Sequence, residues 1–322
     1  MSLYGSSDMY LSFYRLREEP FRLTPDPKFL QLPEPHRDAL TRLAHGVIGR
    51  KGLMVLSGPI GTGKTTILNG LLTVLARRYP AKQLPTALIV NPRLDRDELL
   101  EALLFEFEVA CGATSRPSRL AALQGLFFTA FRSGGTCLLI VDEAHLLSAD
   151  ALEEIRLLMN TDSYREKLLQ VILCGQPELT RLLSEPSARA LRQRIAERAA
   201  LRALSQAEMR MYICERLRIA GFEQAVPFAQ SSFEMIYKYT GGVPRLINSV
   251  CDTCLAIGCE TKRTEIAEDI VEEAAARHEL TASVGRTEDH AGSSPGRGGE
   301  PSVVRLFGDP LPTAKATGRG AL

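Results

Sequence analysis

The chain has 322 residues, 45% of them hydrophobic, enough to bury a sizeable core in one large domain or two ordinary ones. Lys and Arg number 39 against 38 Asp and Glu, so no global attraction to nucleic acid or to an anionic membrane is written into the composition. No run approaches the roughly 18 apolar residues of a membrane-spanning helix, and MSLYGSSDMY lacks the basic-then-apolar layout of a secretory signal, which makes the cytoplasm the expected compartment.

Residues 1–35 read as an N-terminal leader ahead of an α/β core expected over 36–204. The first strong element is LMVLS, Leu53 to Ser57, a short apolar run followed by GPIGTGKTT and then by the periodic stretch TILNGLLTVLARRYP. That order predicts strand, loop and helix. Gly58, Pro59, Ile60, Gly61, Thr62, Gly63, Lys64, Thr65 and Thr66 then form a G-x-x-x-x-G-K-T phosphate loop in its required context. Backbone N–H groups from Gly61 to Thr65 can wrap phosphates, because glycine tolerates the conformations that turn them inward. Lys64 is expected to reach the β and γ oxygens of a nucleotide, ATP or GTP, and Thr65 to ligate Mg2+, with the helix N-terminus adding positive potential.

Further strand-like runs follow at Thr86 to Val90, Thr136 to Val141 and Leu169 to Cys174, separated by amphipathic stretches such as LDRDELLEALLFEFEVA. Buried strands alternating with helices predict a mostly parallel sheet covered on both faces. CLLIVDEAH, Cys137 to His145, resembles the Walker B strand of ATPases. Asp142 would hold Mg2+ through its water shell, and Glu143 would polarise the water that attacks the γ-phosphate. A helicase reading of DEAH needs a second motor domain, for which the later helical segment is too small; His145 reads as a packing or coupling residue. Gln176 follows the strand in LQVILCGQPEL, near where a γ-phosphate sensor would sit. The arginines of RALRQRIAERAALR, Arg189 to Arg202, read as a solvated helical face.

After about Leu204 the strand signals stop, and four helical stretches predict a helical lid subdomain over 205–280. Cys251 and Cys254 form a C-x-x-C without a second Cys/His pair at zinc spacing, so they read as small side chains on one helix face. Seven cysteines scattered through apolar segments argue for reduced thiols. Residues 281–322 are rich in Gly, Ser and Pro and are expected to be disordered, with VVRLF at Val303 to Phe307 as the one apolar island.

GTGKTT, VDEAH, LCGQPEL, LRQRI, LSQAEMRMYICERLRIAG and GGVPRLIN occur in one order, and together they resemble the AAA+ ATPase domain of the general secretion pathway A (ExeA-like) family. The leader, with its PF, PD and downstream His, resembles that family too, so the likeness covers about Met9 to Leu280. It implies a P-loop NTPase fold of AAA+ type, a homo-oligomeric ring or filament, and an arginine ahead of the last core strand that completes the neighbouring subunit's site. Arg194 fits that place, with Arg192 as substitute. Arg245 in GGVPRLIN matches the second sensor, on the lid. The family often continues into a transmembrane helix and a peptidoglycan-binding domain, whereas this chain reads as a short form.

The function expected is therefore an ATP-hydrolysing assembly switch working with an unidentified partner in a secretion, envelope or exopolysaccharide-export system. The alternative is an ATP-dependent DNA-binding adaptor of transposition of the TniB and MuB class, which the arginine run supports and the near-zero net charge opposes. A nucleotide-binding scaffold with negligible turnover is a third reading.

Overall fold

The computed structural model describes residues 6–22, 33–90, 92–110, 112, 115–161, 166–224 and 226–281. These all fall in one compact unit, Met1–Val284; the expected tail, its VVRLF island and part of the leader lie outside the described residues. The core is a five-stranded sheet built from β1 (Leu53–Ser57), β2 (Thr86–Ile89), β3 (Cys137–Val141), β4 (Leu169–Gly175) and β5 (Ile195–Ala200). Every pairing is parallel and the order across the sheet is β2-β3-β4-β1-β5, so β1 lies between β4 and β5.

Side chains alternate across a pleated strand, and this sequence uses both faces. Leu53 and Val55 of β1, Leu139 and Val141 of β3, and Val171 and Leu173 of β4 point to one face. There they meet α4 (Arg96–Glu106), α5 (Arg116–Arg132) and α6 (Ala149–Leu158) through Leu99, Leu103, Phe127 and Ile155. Met54, Leu56, Leu138, Ile140, Ile172 and Cys174 point the other way, onto α2 (Glu34–Ile48) and α3 (Lys64–Arg78). With apolar partners on both faces, the strands read as continuous hydrophobic runs. The buried polar exception, Gln170, is satisfied: it accepts from Gly52 N–H at 2.8 Å and donates to Thr136 Oγ1 at 3.1 Å and Lys167 O at 2.9 Å.

The reading of Arg189 to Arg202 as a helical face is corrected. Short helices α7 (Pro177–Leu182) and α8 (Arg189–Arg192) precede β5, so Arg198 falls on a strand, with Arg194 just before it and Arg202 just after it. β5 is an edge strand paired only with β1 among the described residues, and its burial alternates from residue to residue. One face of the strand packs, and the other carries the charge that keeps a sheet edge from recruiting another strand.

After β5 the chain turns helical: α9 (Gln206–Ile219), α10 (Gln230–Thr240), α11 (Pro244–Glu260) and α12 (Glu268–Arg277). Ser205 and Glu208 start α9 with a reciprocal capping box. These helices share an apolar cluster that includes Met209, Ile213, Phe233, Ile247, Cys251, Cys254 and Val271. The start of the chain joins the same cluster. Helix α1 (Ser6–Tyr14) buries Tyr10 and Tyr14 there, with Tyr10 donating to Asp252 Oδ1 at 2.7 Å and Tyr14 to Arg263 O at 2.9 Å. Among the described residues no helix is long and apolar enough to cross a membrane.

Candidate nucleotide site

The loop Gly58 to Gly63 leaves the carboxyl end of β1, where the neighbouring strands hold it: Gly58 N–H donates to Gly175 O at 3.2 Å, and Leu201 N–H to Ser57 O at 2.7 Å. In an open parallel sheet this edge is where ligands bind. Gly61 (φ +78°) and Gly63 (φ +93°) lie in the left-handed region that a Cβ disfavours. Inside the loop, Thr62 Oγ1 donates to Pro59 O at 2.8 Å. Helix α3 opens at Lys64 with no side-chain cap and no acid in its first turn, so its first amides add to the loop's donors. Lys64 is buried to 8% exposure, and its Nζ donates to Gly58 O at 2.9 Å and Pro59 O at 3.0 Å, across the concave side of the loop. Ile60 stands exposed at the loop's tip.

Strand β3, buried at every residue, delivers Asp142 beside this loop. Thr65 Oγ1 donates to Asp142 Oδ2 at 3.4 Å, and Asp142 Oδ1 accepts Glu143 N–H at 2.9 Å. A hydroxyl and a carboxylate converging beside a phosphate loop are the hard oxygen donors that Mg2+ takes in small number, with phosphates and water completing its shell. The residues therefore fit that ion. Among the described residues no three His, Cys, Asp or Glu gather at a metal-binding spacing. Cys251 and Cys254 are fully buried in α11, where burial pushes both thiols upward.

Glu143 adopts φ +53°, uncommon for a non-glycine residue and a mark of local constraint. Its Oε2 accepts from Gln176 Nε2 at 3.2 Å, and His145 Nδ1 stands 3.4 Å from the same oxygen. Gln176 N–H points at His145 Nδ1 at 3.4 Å. The first residue past β4 thus touches the acid at the end of β3, and the imidazole of DEAH fills the corner between them.

Two contacts come from outside the sheet. Arg245, in the first turn of α11, donates its backbone N–H to Gly61 O at 3.1 Å, while its side chain stays exposed. His36, in the first turn of α2, places Nε2 2.6 Å from Thr62 O. It is 3% exposed, and burial pushes its pKa below 6.5. Sequence reasoning missed His36 as a site residue; its one signal was a histidine at the end of the leader.

Arg194 and Arg192 lie elsewhere. Ile195 pairs with Leu53, five residues before Gly58, so Arg194 sits about 16 Å along the sheet from its own phosphate loop at roughly 3.3 Å per residue. Arg194 Nη1 is buried with no hydrogen-bond partner among the described residues, and Arg192 Nη1 reaches Ser184 O at 3.4 Å.

An AAA domain family model matches residues 47–183. General secretion pathway protein A of Aeromonas hydrophila is 38% identical over 252 residues, 77% of this chain and 44% of that protein, so the match spans under half of the relative's length. Among solved structures, the ORC2 protein of Aeropyrum pernix in ADPNP and ADP complexes aligns with a TM-score of 0.61 at 17% identity, over 82% of this chain and 72% of its own. Drosophila ORC bound to DNA aligns at 0.63 and 19%, over 87% and 69%. The Thermotoga maritima RuvB branch migration motor aligns at 0.50 and 18%, over 75% and 68%. At such identities the structural likeness speaks for the fold alone.

Proposed function

We propose that this chain, which carries an AAA domain match and is similar over 77% of its length to general secretion pathway protein A, is an AAA+ ATPase that binds and hydrolyses ATP as an oligomeric assembly switch. One observation carries the reading: Thr65 and Asp142 meet at 3.4 Å beside the loop that holds Lys64. A hydroxyl at the start of α3 and a carboxylate at the end of β3 are of use together when a cation must be bound against phosphates.

In this reading the backbone amides of Gly58 to Thr66 cradle the phosphates, and Lys64 turns from the loop carbonyls to the β and γ oxygens. Thr65 and Asp142 hold Mg2+, which neutralises the charge that develops on the phosphates. Glu143 orients and polarises the attacking water. Gln176, touching Glu143, reads the γ-phosphate and sets the position of that acid. Arg245 extends from the helix whose backbone is bonded to Gly61, so a change at the phosphates is passed to α9 through α12, the lid of residues 205–280.

Arg194 of a neighbouring subunit, with Arg192 as substitute, completes the site in trans. One feature supports this: the distance of Arg194 from its own phosphate loop. A guanidinium placed against the transferring phosphoryl group stabilises transition-state charge and ties turnover to assembly. Relationship to general secretion pathway protein A supports a partner in a secretion or envelope system. Mixing inactive Arg194→Ala and Lys64→Ala subunits tests the shared site: turnover should reappear in the mixture, and no recovery at any ratio would refute it.

A further inference from the structure

The reaction assigned above leaves unused one buried titratable side chain in contact with the phosphate loop. His36 is held by α2, whose buried Ala39, Leu40, Leu43, Ala44 and Val47 seat that helix on the sheet face it shares with α3. From its first turn the imidazole lies against the loop. A Cβ built on Gly63 would stand 3.3 Å from His36 Nε2 and 3.4 Å from its Cδ2, so the ring packs against the glycine's α-carbon. Its Nε2 is 2.6 Å from Thr62 O.

A carbonyl oxygen only accepts, so Nε2 carries the proton and donates. Nδ1 then holds a lone pair, and it is buried with no hydrogen-bond partner among the described residues. A second proton there would add a charge and an unsatisfied donor, so the ring is held neutral in the Nε2–H tautomer. Burial, the largest influence, favours the same state and outweighs the Thr62 hydrogen bond and Glu208, which favour the charged ring, while Arg202 acts with burial.

In a trans peptide the carbonyl of one residue and the N–H of the next point in opposite directions. Drawing Thr62 O toward α2 turns Gly63 N–H to the other side, toward the concavity of the loop. We infer that His36 is a positioning residue for nucleotide binding, which locks the Thr62–Gly63 peptide so that Gly63 N–H faces the phosphates. This rests on the reading of the loop as an ATP site. The gain is preorganisation: the amide is aimed before the ligand arrives, and binding does not have to order it.

The test compares His36→Gln, which keeps a neutral N–H at similar reach, with His36→Asn, one bond shorter, and His36→Phe, which keeps a flat ring and no donor. ADP is titrated into each, and the nitrogen shifts of the wild-type imidazole are read by NMR at pH 7.5. The expected result is an ADP dissociation constant within about threefold of wild type for Gln and about tenfold weaker for Asn and Phe, on the scale of one lost hydrogen bond. The loss should appear in KM for ATP more than in kcat, and the nitrogen shifts of His36 should be those of the neutral Nε2–H tautomer.

Wild-type affinity in both Phe and Asn, or an Nδ1–H or doubly protonated ring, would overturn the inference. If Phe fails to fold, the Gln and Asn pair and the wild-type spectrum decide. Failure of the ATP-site reading looks different: wild type would bind no ADP, or Lys64→Ala would bind it equally well.

Discussion

The backbone N–H of Arg245 donates to the carbonyl of Gly61 at 3.1 Å, so the first turn of α11 is bonded to the middle of the phosphate loop. The approach is close enough that a Cβ on Gly61 would fall 2.9 Å from Val243 Cγ1 and 3.0 Å from Arg245 Cβ. Whatever moves the loop therefore moves the helices that follow β5.

Gly61→Ala tests that coupling. The substitution forces a side chain into φ +78° and drives Cβ into Val243. Strain of about 1–3 kcal/mol is expected, which corresponds to roughly 5- to 150-fold in nucleotide affinity if the loop must recover its shape on binding. Calorimetric titration with ADP measures it; unchanged affinity would mean that loop and helix separate freely.

Tyr10 is 1% exposed in a cluster that joins Tyr14, Leu16 and Phe21 to side chains from residues beyond 200, and its hydroxyl donates to Asp252. Tyr10→Ala should cost about 3–5 kcal/mol, the usual scale for removing a buried aromatic side chain. Urea unfolding followed by circular dichroism checks this, and a midpoint within error of wild type would detach the N-terminal helix from the fold.

Two groups lose their contribution to stability in the same direction, as pH falls, but in different pH windows. Burial holds His36 below 6.5, so the unfolded chain takes up a proton first: the contribution of His36 is complete above about 6.5 and is lost as pH falls below it. Glu208, held down to about 2 by hydrogen bonding to Arg202 despite partial burial, contributes above 4.5 and loses that contribution as pH falls from 4.5 toward 2. Urea midpoints of wild type and His36→Gln between pH 7.5 and 5 should diverge in slope, the variant being flatter. Glu208→Gln should flatten only the region below 4.5. Parallel curves for all three proteins would contradict both assignments.

Much of the sheet was legible because β1, β3 and β4 are apolar on both faces, which leaves short uninterrupted runs between periodic helices. β5 was hidden by the same logic turned around: IAERAA packs on one face only, and its Glu197 and Arg198 read as a solvated helix. The phosphate loop and the paired acids carry local signatures, since their chemistry needs fixed spacings along one segment. His36 carries none. Its partner is a backbone carbonyl 26 residues away, and any sequence at position 62 supplies that atom. The burial of Tyr10 and Tyr14 against α11 was equally silent, because it depends on a meeting of chain segments about 240 residues apart.

Hydrolysis at this site depends most directly on Glu143, the acid placed by β3 within reach of Gln176. ATP binding and phosphate release are measured side by side for wild type and Glu143→Gln, which keeps the side chain's shape and removes its charge. The expected result is a dissociation constant for ATP within about threefold of wild type and turnover reduced about 10²- to 10⁴-fold, the usual scale for losing a positioned general base. Equal hydrolysis by the two proteins would contradict the assignment of this site as an ATPase centre built on Glu143.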